Sequence, residues 1–173
     1  TLPAPITGTA TVCAGGATTT LHDATAGGTW SSTISFDASV SSTGLVTGLL
    51  AGTPNIVYTL PGGCTATQAV TVNPLPAAIS GAASVCANST TTLTDATGTG
   101  NWTSQFPTIA SVVGGTGDVT GVSSGSTNIS YTIATTGCYV IKPFAVNNLP
   151  AVKTVTGGGG YCVGGGGTHV GMS

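Results

Sequence analysis

The sequence predicts an all-β chain built as two tandem antiparallel β-sandwiches followed by a C-terminal β-strand tail. Three observations predict it. A set of landmarks recurs once along the chain, short segments alternate apolar and polar residues between turn signals, and hydroxyl groups supply the polarity that charges usually supply.

The repeat comes first, because it fixes the organisation. Residues 6–30 read ITGTATVCAGGATTTLHDATAGGTW and residues 79–102 read ISGAASVCANSTTTLTDATGTGNW. Further on, STGLVTGLLAGTPNIVYTL at 42–60 returns as GTGDVTGVSSGSTNISYTI at 115–133. Cys13 pairs with Cys86, Trp30 with Trp102, Tyr58 with Tyr131 and Cys64 with Cys138, at separations of 72 to 74 residues. The predicted units are therefore 1–76 and 77–150, with Pro-containing joints at 74–78 and 148–152. Residues 151–173 form a Gly-rich tail, read as the opening of an incomplete third unit or as a strand donated to a neighbour. Cys162 lies 76 residues after Cys86 in a comparable setting. Without an initial methionine or a signal peptide, the chain reads as a processed subunit or a segment of a longer tandem protein.

The strands are legible as period-two alternation in residues 56–60, 69–72 and 129–133, bounded by Gly, Pro and Asn turns. No segment offers helical spacing with caps. Regular short strands in a unit this size predict a small β-sandwich with a Thr- and Ser-covered exterior.

Composition closes off other classes. Lys142 and Lys153 face Asp23, Asp37, Asp95 and Asp118, and there is no arginine or glutamate, so charged residues make up 3%. Nucleic acid needs a row of cations to displace counterions, which two lysines cannot supply. No apolar run approaches the length of a membrane span. Disorder couples low hydrophobicity with high charge, and a chain that is 40% hydrophobic and 3% charged inverts both. The polarity resides in 34 Thr and 16 Ser, which remain hydrated without charge.

The segment 42–60, with its G-x-V-T-G core, resembles the signature of bacterial immunoglobulin-like (Ig-like) domains of the second group. With its Val-Cys, Asp-Ala-Thr, Gly-x-Trp and Val-Asn landmarks, the repeat is similar to tandem Ig-like, PKD-like modules of long secreted surface proteins of gliding-type bacteria. The resemblance covers residues 1–150 twice over, and the tail from Val155 resembles the start of a different module. It implies Ig-like sandwiches, an extracellular location, a structural or adhesive role, and no catalysis.

The five cysteines admit three chemistries. A metal site wants closely spaced pairs, yet the in-repeat separations are 51 and 52 residues. A catalytic thiol wants a base, and the second repeat replaces His22 by Thr94. Disulfides fit best, as Cys13 with Cys64 and Cys86 with Cys138, in an oxidising compartment, with free buried thiols as the alternative. Closing such a loop is worth about 4 kcal/mol in the chain-entropy model. Because both cysteines of a repeat flank glycine turns, the bridge is expected near one end of each sandwich. Cys162 is left over, to pair with a downstream cysteine, between chains, or with none.

Trp30, Trp102, Tyr58 and Tyr131 recur at fixed places and are expected in the cores. Asp23 and Asp95 favour Asx turns over calcium binding, since a Ca²⁺ site gathers several oxygens. The glycine runs 157–160 and 164–167 lack the Lys-Ser/Thr of a phosphate loop and read as connectors. Isopeptide cross-linking is excluded from the first repeat, which has no lysine. Sequons at Asn88, Asn101 and Asn128 permit N-glycosylation, and O-linked glycans are a further option. No cofactor is expected.

These observations point to a non-enzymatic module of an extracellular filament, stalk or adhesin. Its partners would be copies of itself, assembled head to tail with the tail as a donor strand, or further domains of the same chain. The alternative is a carbohydrate-binding or spacer module of a secreted enzyme.

Overall fold

The computed structural model describes residues 2–150, 155–156 and 171–172. Every described element is a strand. In the first repeat these are β1 (Thr7–Gly8), β2 (Thr11–Cys13), β3 (Thr18–His22), β4 (Thr29–Ser32), β5 (Ala38–Val40), β6 (Leu45–Gly48), β7 (Asn55–Thr59), β8 (Thr65–Ala69) and β9 (Thr71–Asn73). The second contains β10 (Ser84–Cys86), β11 (Thr90–Thr92), β12 (Gly100–Ser104), β13 (Ala110–Val112), β14 (Asp118–Gly121), β15 (Gly125–Ile133) and β16 (Tyr139–Asn147). The tail contributes β17 (Val155–Thr156) and β18 (Gly171–Met172), which pair with each other antiparallel.

Each repeat sets one sheet against another. In the first, β1-β3-β6-β5 lies opposite β4-β7-β8 and the pair β2-β9; in the second, β11-β14-β13 lies opposite β10-β16-β15-β12. The pairings are antiparallel apart from one in each repeat. β2 runs parallel to β9, with Cys13 beside Asn73, and β10 runs parallel to β16, with Cys86 beside Asn147.

Alternation along the strands produces two cores. Leu21, Ala38 and Val46 from one sheet meet Val12, Ile56, Tyr58, Val70 and Val72 from the other. Their counterparts Leu93, Ala110 and Val119 meet Ile129, Tyr131, Phe144 and Val146. Hydroxyl residues take the alternate positions. In β15 the even-numbered Asn128, Ser130 and Thr132 are half-buried, whereas Thr127, Ile129, Tyr131 and Ile133 face inward.

One difference between the repeats has a simple cause. β15 and β16 are continuous, whereas their counterparts break near Pro54 and Val70. Pro54 stands where the second repeat has Thr127 and cannot donate to a ladder, so Gly52 bridges Val72 in isolation and regular pairing resumes at Asn55.

The G-x-V-T-G segment also has a physical explanation. Gly44 and Gly117 turn with φ of 82° and 78°, and a Cβ on either would strike the carbonyl of Leu21 or Leu93 beneath the tryptophan ring. Gly48 and Gly121 let the β6 and β14 backbones approach the carbonyls of Cys13 and Cys86, leaving 2.5 and 2.7 Å where a Cβ would stand. Between these glycines Val46 and Val119 are fully buried.

Candidate functional site

Titratable side chains are scattered, and among the described residues no three His, Cys, Asp or Glu side chains converge. Asp23 and Asp95 each accept a hydrogen bond through Oδ1 from the backbone N–H two residues on, at Thr25 and Thr97, both at 2.8 Å. These are Asx turns. The same two threonines receive the entering chain, because Ala4 N–H donates to Thr25 Oγ1 and Ala77 N–H to Thr97 Oγ1, both at 2.8 Å. The leading ends of the two repeats are thus built alike.

Asp118 sits differently. Its oxygens accept hydrogen bonds from the Thr92 hydroxyl at 2.7 Å and the Thr116 hydroxyl at 2.6 Å. Hydrogen bonding from Thr116, and then from Thr92, holds its carboxyl below the usual carboxylate range. In the first repeat the same place is Leu45.

The aromatic residues form matched cross-strand pairs. Trp30 lies opposite Tyr58 with ring centroids 4.8 Å apart, and Trp102 lies opposite Tyr131 at 4.7 Å. Tyr58, Tyr131 and Trp102 are buried, and Trp30 is half-buried against the first core. A sugar platform needs a flat, open ring face, whereas each tryptophan packs on its tyrosine at a tilt of 50° or 54°, with Trp102 buried. The Tyr58 hydroxyl donates to the Thr25 carbonyl at 2.7 Å and accepts from Gly28 N–H at 2.8 Å, tying the core to the leading end.

The cysteines require a correction. Cys13 does not pair with Cys64, nor Cys86 with Cys138. The disulfide joins Cys13 to Cys138, across the joint between the repeats, with Cα atoms 5.6 Å apart. Cys64 and Cys86 are free thiols. Geometry forbids the in-repeat pairs. Cys138 immediately precedes β16, and Cys86 lies beside Asn147 at that strand's other end, so at ~3.3 Å per residue the two are about 30 Å apart. In the first repeat Cys64 precedes β8, and Cys13 lies beside Asn73 where the run through β8 and β9 ends. A bridge tolerates a Cα separation of only about 7 Å. Both cysteines of a repeat do flank turns, but at opposite ends.

The consequence is a covalent joint. Cys13 ends β2 at the trailing end of the first repeat, and Cys138 closes the β15–β16 turn at the leading end of the second. The chain also crosses there, from Asn73 through Pro74, Leu75 and Pro76 to the buried Ile79. A cleft of about 360 Å³ remains beside the bridge, lined by loop 13–17, Leu75 and Tyr139. Just beyond the crossing, Lys142 Nζ donates to the Ile79 carbonyl at 3.2 Å. The bridge closes a loop spanning 125 residues, worth about 5 kcal/mol in the chain-entropy model, and it constrains the unfolded pair of repeats instead of either alone.

Of the sequons, Asn88 is exposed and adopts φ 63°, the left-handed conformation that Gly15 takes in the first repeat. Asn101 is exposed, and Asn128 donates through Nδ2 to Gln105 Oε1 at 2.9 Å. Cys162, Lys153 and both glycine runs lie outside the described residues. No helix of the described residues is long and apolar enough to cross a membrane.

The family model of the bacterial Ig-like domain (group 2) matches residues 66–138, from β8 to the turn before β16. Among curated protein sequences nothing matches. Similar solved structures include the S-layer protein SbsC domains 4 and 5, 23% identical with a TM-score of 0.40, covering 84% of this chain and 99% of that one. Domains 1–6 of the surface layer protein SbsC are 22% identical with a TM-score of 0.38, and the match spans 90% of this chain and 30% of that one. A C-terminal 282-residue fragment of intimin, in complex with the translocated intimin receptor intimin-binding domain, is 16% identical with a TM-score of 0.47. That match covers 84% of this chain and 64% of the fragment.

Proposed function

We propose that the chain is a non-enzymatic structural module of an extracellular filament, stalk or adhesin, made of two Ig-like sandwiches at 1–76 and 77–150 that assemble end to end. The observation that carries this reading is the Cys13–Cys138 bridge, which clamps the trailing end of one repeat to the leading end of the next. A single chain crossing between two folded units bends at its joint. A second covalent strut at the same joint, together with two prolines, resists that bending and suits a part that transmits force.

The same bond supports an extracellular location, secreted or at the cell surface, because a disulfide persists in oxidising surroundings. The match to the bacterial Ig-like family model over residues 66–138 supports this reading. Glycans on Asn88 or Asn101 would sit on exposed backbone. A donated tail strand would first have to leave the β17–β18 ladder.

Electron microscopy of the native material tests the proposal. Linear assemblies whose repeat matches the length of the paired units support it. Isolated particles under oxidising conditions, or hydrolytic activity that survives purification to homogeneity, would refute it.

A further inference from the structure

Each half of the joint inside the chain has a counterpart in the other repeat. Cys64 occupies in the first repeat the place of Cys138, just after the turn closed by Leu60 N–H to the Cys64 carbonyl, as Ile133 N–H bonds the Cys138 carbonyl. Cys86 occupies in the second repeat the place of Cys13, at the end of the strand parallel to its partner. The bonded members of these pairs are an inner leading cysteine and an inner trailing cysteine. The free members are an outer leading cysteine and an outer trailing one.

Burial separates the two sets in the way a joint requires. Cys138 is fully buried at the inner joint, whereas Cys64 is half-buried; Cys13 is half-buried, whereas Cys86 is exposed. Leu75, beside the inner bridge, is 41% exposed, and Leu149, in the same place at the outer end, is 54% exposed. The receiving surface is also duplicated, because the bonds from Ala77 to Thr97 and from Ala4 to Thr25 are identical in partners and length.

We propose that Cys86 of one copy of this chain forms a disulfide with Cys64 of the next copy, reproducing between chains the bridge that Cys13 and Cys138 make within one. The proposal deepens the end-to-end assembly above and rests on it. Because Cys64 and Cys86 lie at opposite ends of the chain, the contact is heterologous and each copy offers a free half to the next, so the contact repeats from copy to copy into a covalent oligomer.

The chemistry needs an oxidant, here a small-molecule disulfide such as oxidised glutathione. The Cys86 thiolate attacks one glutathione sulfur, forming a mixed disulfide and releasing one glutathione thiolate. The Cys64 thiolate of the next copy then displaces the second glutathione. Two protein thiols lose two electrons and two protons, and the glutathione disulfide takes them up as two thiols.

The test uses the full chain carrying Cys162→Ser, oxidised glutathione as the oxidant, and electrophoresis without reductant. The parent gives a ladder of oligomers that dithiothreitol collapses, and prior alkylation with iodoacetamide abolishes it. Cys64→Ser and Cys86→Ser alone each stay monomeric, because each lacks one half of the joint. When those two variants are mixed, crossed dimers dominate and a peptide joining Cys86 to Cys64 appears in the mass spectrum. Self-joined dimers as abundant as crossed ones, or no oligomers at all, overturn the proposal. The Cys64→Ser/Cys86→Ser double variant separates the two readings. If it still forms linear assemblies while the parent forms no Cys86–Cys64 bond, only the covalent joint fails; if neither assembles, end-to-end assembly fails as well.

Discussion

Cys13 and Cys138 lie 125 residues apart in sequence and are bonded to each other across the joint between two repeats that each carry their own core. Removing that bond should loosen the joint and leave the sandwiches intact. In Cys13→Ser, far-UV circular dichroism should be unchanged, and backbone ¹⁵N relaxation should resolve two shorter correlation times where the bridged protein shows one. A shared correlation time in the variant would show that the bridge does not govern the joint.

Trp102 is 6% exposed and packs on Tyr131. Trp102→Ala should destabilise the second repeat by about 3–5 kcal/mol, the usual cost of emptying a buried aromatic site. Trp30→Ala should cost less, because Trp30 is only half-buried. Urea unfolding followed by tyrosine fluorescence measures both, and equal losses would contradict the difference in burial.

Gly117→Ala tests the turn beneath the tryptophan. Its φ of 78° strains any L side chain, at about 1–3 kcal/mol, and the new methyl would meet the Leu93 carbonyl and Trp102 Cε2. Gly98→Ala, also at positive φ (83°), has open space for the methyl and should lose only the conformational part. Thermal melts of the two variants should therefore rank Gly117→Ala below Gly98→Ala.

Asp118 has a folded-state affinity for protons weakened by the Thr116 and Thr92 hydroxyls. A carboxyl depressed in this way adds stability that is present above its ordinary value and is lost as pH falls through the folded one. Because Asp118 is exposed, the effect is small, and it is read best by NMR titration of the side-chain carboxyl. Thr116→Val should raise the midpoint towards the ordinary carboxylate value. An unchanged midpoint would mean that the hydroxyl is not its cause.

Much of the architecture was legible because it depends on local pattern. Leu21, Val46, Ile56 and Tyr58 fall on the buried phase of their strands, and Gly44 and Gly48 mark a turn and a close approach that only glycine permits. The cysteine pairing was not legible, because it depends on which end of a strand run each residue reaches. Cys13 and Cys64 both adjoin glycine turns, and sequence separation alone does not distinguish one end from the other. The deciding fact is the parallel pairing of β2 with β9, which sets Cys13 beside Asn73. The pairing of Val12 with Val72 carries Cys13 to the Asn73 end of the strand run, away from Cys64. The exposure of Cys86 and the half-burial of Cys64 have no signal in the sequence either, since burial depends on how the chain packs around each residue in three dimensions.

Disulfide mapping of the native protein tests the central claim most directly. The protein is alkylated before digestion without reductant, and its cross-linked peptides are sequenced by mass spectrometry. A peptide pair joining Cys13 to Cys138 is the predicted result. Pairs joining Cys13 to Cys64 and Cys86 to Cys138 would contradict it, because they would confine each bond to one sandwich and leave the joint held by the polypeptide alone.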